Sequence, residues 1–226
     1  MLSFHFLYFP QPLYAFHLLF RWNKIIKNCS QISIFAYWAK IKDMIQIKTF
    51  YFNDLRECCY VLYDESKECV IVDPGMQNSN EENRLVKFIE ENGLKPVKLL
   101  NTHGHFDHVG AVKELAAETQ CEVYIHPDDL TMPPMMTAGA LYYTRTYTEG
   151  TRLKLAGLDI AVLHTPGHTP GSVCLLCDTT ILSGDTLFRG SCGRTDLPGG
   201  DWATINKSLN RLAALEGNFW ILPGHG

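Results

Sequence analysis

Beyond residue 43 the apolar positions fall into short runs punctuated by turn residues. "IQIKTFYF" (45–52), "CCYVLY" (58–63) and "CVIVD" (69–73) read as strands, because Val, Ile and aromatic residues in runs of this length suit a pleated, partly buried surface. "DESKE" separates the second from the third, and "DPG" closes the third. The period then changes. "NEENRLVKFIEENG" reads as a helix: Leu85, Val86 and Ile89 form an apolar face, acidic residues crowd its start, and Gly93 supplies a stop. A buried strand, "VKLLNT", a helix, "VGAVKELAAETQ", and a strand, "CEVYIH", follow. Residues 127–149 read as a loop with short helical pieces. "TRLKLA", "LDIAVLHT", "SVCLLC" and "TTILSG" are four more strands. "DWATINKSLNRLAALEG" is a helix with Ile205, Leu209, Leu212 and Leu215 on one face and Asp201 as its N-cap. "FWILPGHG" ends the chain as a strand and loop.

The first 43 residues differ. They are rich in Phe, Tyr and Trp, and no Asp or Glu precedes Asp43. Pro10 and Pro12 interrupt the opening apolar part, which lacks a basic n-region and a small-residue cleavage site, so it is a poor signal peptide. Met1 to Phe20 is just long enough to span a bilayer, but two prolines and two histidines make that a weak reading. A membrane-associating leader, a segment packed on the domain and a non-native extension all remain open. The expected organisation is an N-terminal extension, residues 1–43, and a working domain, residues 44–226.

Composition changes the picture little. Of 226 residues, 46% are hydrophobic and 19% charged, which is ordinary for a globular domain. The net charge of −4 disfavours a nucleic-acid surface. Eight cysteines lie scattered, several inside strand-like runs, unlike a secreted disulfide scaffold. A reducing, cytoplasmic setting is expected. "CLLC" (174–177) lies in a strand pattern, where positions three apart point to opposite faces, so it reads as packing rather than a redox pair.

The chemistry is concentrated at strand ends. "LLNTHGHFDHVG" (99–110) places His103, His105, Asp107 and His108 directly after an apolar run, in a chain with nine histidines. Imidazole nitrogens and carboxylate oxygens suit zinc, manganese or iron. "LHTPGHTPGS" offers His164 and His168, "ILSGDTLF" Asp185, and "LPGHG" His225. Each sits near glycine at the end of an apolar strand.

Together "HGHFDH", "GHTPGS", "GDTLF" and "PGHG" resemble the metallo-β-lactamase superfamily, in its order, over roughly residues 45–226. The resemblance implies an α+β fold, a four-layer αββα sandwich with metals at one edge of its two sheets. It implies a first metal on His103, His105 and His168, a second on Asp107, His108 and His225, and Asp185 bridging them. His108 and the stretch "GDTLFRGSCGRTDLPGGD" resemble the glyoxalase II (hydroxyacylglutathione hydrolase-like) group, in which a basic residue at the place of Arg194 meets a substrate carboxylate. The implied function is hydrolysis of a small-molecule thioester such as S-lactoylglutathione by hydroxide held between two divalent ions, zinc or else iron or manganese. Asp107 would bind metal and orient the nucleophile.

An iron-dependent persulfide dioxygenase of the same superfamily is the alternative, with iron on His103, His168 and Asp185. A binding protein with a degraded site is disfavoured by the intact ligand set, and a nuclease by the acidic balance. Full-length glyoxalase II enzymes continue into a helical region that grips glutathione. This chain stops at Gly226, so a truncation is expected, with His225 on a frayed end. Asp73 either supports the site or forms a turn. Arg194 either meets substrate or pairs with Asp196. His164 reads as structural and His126 as capping or packing. Tyr142, Tyr143 and Tyr147 either line a pocket or pack.

Overall fold

The computed structural model describes residues 5–6, 45–137, 139–155 and 157–226. The first sheet contains strands β2 (Gln46–Phe52), β3 (Glu57–Tyr63), β4 (Glu68–Val72), β5 (Lys95–Leu100), β6 (Glu122–Ile125) and β7 (Arg145–Thr146), in that order. The second contains β8 (Arg152–Leu155), β9 (Leu158–His164), β10 (Val173–Cys177), β11 (Thr180–Gly184), β14 (Trp220–Pro223) and, at its far edge, the two-residue β1 (His5–Phe6). A small hairpin, β12 (Leu187–Phe188) with β13 (Ser191–Cys192), stands apart from both. Apart from β1, the expectations for residues 1–43 lie outside the described residues.

Three apolar layers hold these sheets. Tyr60, Leu62, Val70, Val72 and Leu100 of the first sheet pack against Ile160, Val162, Val173, Leu175, Leu182 and Leu222 of the second. The opposite face of the first sheet, with Val61, Ile71, Leu99 and Val123, is covered by Leu85 and Ile89 of α1 (Ser79–Glu91) and Leu115 of α2 (Val112–Thr119). The opposite face of the second sheet meets Leu212 of α3 (Trp202–Ala213). The order helix, sheet, sheet, helix is the αββα sandwich expected. Alternation along each strand explains it: β3, β4, β10 and β11 bury nearly every position, so both of their faces are covered. Cys174 and Cys177 illustrate this: the first packs under α3, the second between the sheets.

Helix ends follow local chemistry. Asp201 caps α3, its carboxylate accepting the Thr204 N–H at 2.7 Å. Asn78 caps α1 by accepting the Glu81 N–H. The chain leaves α1 through Asn92 and then Gly93 at φ +62°. The hairpin β12–β13 and the short β7 are strands that the apolar pattern did not show, because two-residue strands carry no periodicity.

Candidate metal centre

Two parallel strand pairs place the chemistry at one rim. β4 runs parallel to β5, and β11 parallel to β14. Asp73 and the loop from Asn101 therefore leave the first sheet at the same end. Asp185 and the loop from Gly224 leave the second sheet together, and the loop after β9 brings His168. His225 is not frayed. It forms a bridge with Glu57, Gly224 O accepts the Cys58 N–H at 2.8 Å, and its own Nδ1–H donates to Leu55 O at 2.9 Å.

The structure brings together the residues expected to act. His103, His105 and His168 present nitrogens within 4.8 Å of one another, and so do ligand atoms of Asp107, His108 and His225. Asp185 stands between the groups: Oδ2 is 3.4 Å from His168 Nε2 and 3.4 Å from His225 Nε2, while Oδ1 is 3.4 Å from His108 Nε2. Gly224 permits this approach, because a Cβ there would stand 2.1 Å from Asp185 Oδ1.

The outward ring nitrogens of His103, His108, His168 and His225 are fixed by protein acceptors, while that of His105, Nε2, is buried without a hydrogen-bond partner. His108 Nδ1–H donates to Asp73 Oδ2 at 3.1 Å, and His168 Nδ1–H to Arg194 O at 2.7 Å. The Thr102 hydroxyl donates to Asp73 Oδ2 at 2.6 Å, so its oxygen accepts from His103 Nδ1–H at 3.1 Å. These bonds select the tautomer that leaves an inward lone pair on each ring. His103 Nε2 is buried and lacks a hydrogen-bond partner, as is Asp185 Oδ1. His105 Nδ1 faces His168 Nε2 at 2.8 Å. Two imidazole nitrogens converging so closely, beside an unpartnered buried nitrogen and carboxylate oxygen, fit a cation. The nitrogen-and-oxygen donor set is that of a divalent transition metal.

The electrostatics agree. Burial and the surrounding imidazoles hold His103 well below its usual range, and His105 is lowered to about 4 for the same reasons. Burial would raise Asp185, but His108 holds it well below the ordinary carboxylate range. Burial likewise opposes the lowering of Asp107 by His225 and His108. His108 is held high against its burial by Asp185 and Asp73, and His225 is raised to about 9 against burial by Asp107 and Asp185. Ionised carboxylates thus face the rings at neutral pH, and the protons they hold on His108 and His225 are ones a bound cation would displace.

Several residues stand elsewhere. Arg194 turns its guanidinium outward to Asp196, with two bonds of 2.8 Å, and reaches the centre only through its carbonyl. His126 caps a 3-10 turn (Pro127–Thr131) and stacks on His164 at 4.0 Å. Tyr147 is buried, stacked on Tyr124, and donates to Asn101 O. Tyr142 and Tyr143 remain exposed. Sequence reasoning missed Glu57, whose fully buried carboxylate has no hydrogen-bond partner and is pushed well up by burial. Its only signal was a charge opening the otherwise apolar run "ECCYVLY".

Residues 55–225 match the Metallo-beta-lactamase superfamily. The chain belongs to that superfamily. Hydroxyacylglutathione hydrolase GloC of Haemophilus influenzae is 35% identical, with 74% of this chain and 84% of that one covered. Among solved structures, the BLEG-1 B3 metallo-beta-lactamase is similar with a TM-score of 0.73 at 32% identity, covering 80% of this chain and 92% of that one. TTHA1623, solved in a di-iron-bound form, is similar with a TM-score of 0.67 at 36% identity, covering 79% and 92%. A metallo-hydrolase chemistry and a dinuclear site therefore suit this chain. No helix among the described residues is long and apolar enough to cross a membrane.

Proposed function

We propose that this protein is a dinuclear metallohydrolase that cleaves a small-molecule thioester such as S-lactoylglutathione. The observation that carries the reading is the pair of donor groups sharing Asp185, with the outward ring nitrogens of His103, His108, His168 and His225 committed to Thr102, Asp73, Arg194 O and Leu55 O. His103, His105 and His168 would hold one ion, Asp107, His108 and His225 the other, and Asp185 would serve both. Two divalent ions there would supply activated water near neutral pH and polarise the scissile carbonyl.

The chain's own groups do the positioning. Asp73 and Arg194 O fix the planes of His108 and His168. Asp107 Oδ2, 3.3 Å from His225 Nε2, lies where a carboxylate can orient water and accept its proton. A thiolate leaves without prior protonation, so the thioester asks little of a general acid. Arg194 can meet a substrate carboxylate with its Nη1 edge or, bidentately through Nε and Nη2, by exchanging Asp196 for it. The likeness to GloC supports the thioester, and the seven described cysteines, all free, support a reducing, cytoplasmic setting. Zinc is the proposed metal, with iron the alternative that the likeness to TTHA1623 supports.

The test is release of free thiol from S-lactoylglutathione by protein loaded with zinc, iron or manganese. Thiol release with at least one metal is expected. No release with any of them removes the thioester reading. Oxygen uptake with glutathione persulfide would assign the iron dioxygenase instead, and opening of a β-lactam in place of the thioester would align the chain with BLEG-1.

A further inference from the structure

We infer that Asp129 is a positioning residue, a buried clamp whose single carboxylate holds together the two loops that carry His103, His105 and His168. It rests on the metal reading of the site and not on the identity of the substrate. Asp129 has no solvent exposure. Its Oδ2 accepts the Gly104 N–H at 2.7 Å and the Thr169 hydroxyl at 3.0 Å, and its Oδ1 accepts the Gly171 N–H at 2.6 Å. Gly104 lies between His103 and His105, and Thr169 follows His168. Three donors on one side chain therefore tie a loop of the first sheet to a loop of the second.

A glycine of the second motif makes room for this carboxylate. Gly171 is the one that must stay bare, since a Cβ there would meet Asp129 Oδ1 at 2.7 Å, whereas one on Gly104 would stand in ordinary contact with Oδ2 at 3.5 Å. On the strand side the two loops are joined by the Val173 N–H to Thr102 O, at 2.9 Å. Asp129 closes the other side, where the imidazoles turn inward. Its own backbone is anchored in the 3-10 turn capped by His126, the Asp129 N–H donating to His126 O at 3.2 Å. Burial raises its carboxyl to about 6 against the pull of the three donors, so the ionised form that accepts all three bonds prevails at neutral pH. Asp129 belongs to none of the metal-competent groups among the described residues. It acts on the ion only through the histidines.

The test uses the full chain and zinc, with stepwise affinities read by competition against a chromophoric chelator. Asp129→Asn turns an acceptor into a donor facing other donors and should weaken one of the two zinc constants by about 10–100-fold while leaving the other nearly unchanged. Thr169→Val removes one of the three bonds and should weaken the same constant by less. Leu115→Ala, a cavity in the core beneath α2, controls for general loss of stability and should move neither constant. If Asp129→Asn does not fold, Thr169→Val decides alone. Wild-type constants in both variants, or an equal fall in both constants, overturn the clamp. Failure of the wild-type chain to bind zinc at all overturns the metal reading, and the clamp with it.

Discussion

Asp73 Oδ2 lies 3.1 Å from His108 Nδ1, and the same oxygen accepts the Thr102 hydroxyl that in turn accepts from His103. One buried carboxylate thus sets a ring in each donor group. It holds φ +51°, a left-handed conformation that aspartate tolerates better than most residues. Asp73→Asn can keep an oxygen toward His108 and the Thr102 hydroxyl only by turning its NH2 against the Thr102 N–H, which donates to Oδ1 at 2.6 Å, and the flipped amide loses both of the other bonds. Metal affinity should fall by about 10–100-fold, measured by chelator competition. An unchanged affinity would show that the rings orient themselves.

Removal of a proposed ligand should cost more than removal of its support. His168→Ala deletes a nitrogen that faces both His105 and Asp185. It should lower the metal-to-protein ratio by about one ion and the rate of thiol release by at least about 10²–10³-fold. Elemental analysis and a thiol assay on the same preparation check both. Retention of full metal content would move the ligand elsewhere.

Arg194 and Asp196 make an opposed pair of predictions. If the guanidinium recognises a substrate carboxylate, Asp196→Ala releases it and lowers KM, by up to about fivefold for an exposed pair. Arg194→Ala should raise KM with little change in kcat, since the Arg194 carbonyl that holds His168 survives the substitution. Equal KM values in the two variants would leave Arg194 a structural residue of its loop.

Glu149 joins α3 to the strand that leads to His168: it accepts from Arg211 at 2.8 Å and from the His164 N–H at 2.7 Å. The Arg211 hydrogen bond holds its carboxyl below the ordinary range. A lowered folded-state pKa gives stability that is present above the unfolded value and is lost as pH falls through the folded one. Glu149→Gln should therefore cost about 1 kcal/mol or less at pH 7, the pair being half exposed, and that deficit should shrink as pH falls below about 4.3, the unfolded value, and vanish below the lowered folded one. Denaturant melts of both proteins across pH measure it, and a deficit that persists in acid would contradict the account.

What the chain discloses by itself depends on how a residue acts. The "HGHFDH" loop is local, so His103, His105, Asp107 and His108 announce a metal before any fold is known. His168, Asp185 and His225 were legible only through their order and strand-end placement, since one histidine beside glycine carries little information. Asp129 carries no mark in "HPDD", because its role depends on donors from two distant loops. Leu55 and Arg194 act through carbonyl oxygens, which every residue possesses and no side-chain pattern marks. Glu57 resembled the polar start of a strand, and only the packing shows its carboxylate to be fully buried. Long strands and helices were visible from periodicity, whereas β7 and the β12–β13 hairpin are too short to have one.

The most direct test of the central claim is the metal content of the purified chain after loading with zinc and removal of excess, read together with thiol release before and after chelation. The account predicts about two ions per chain, loss of thiol release when they are stripped, and its return when they are restored. A chain that retains no divalent ion, or that releases thiol equally well without one, would contradict it.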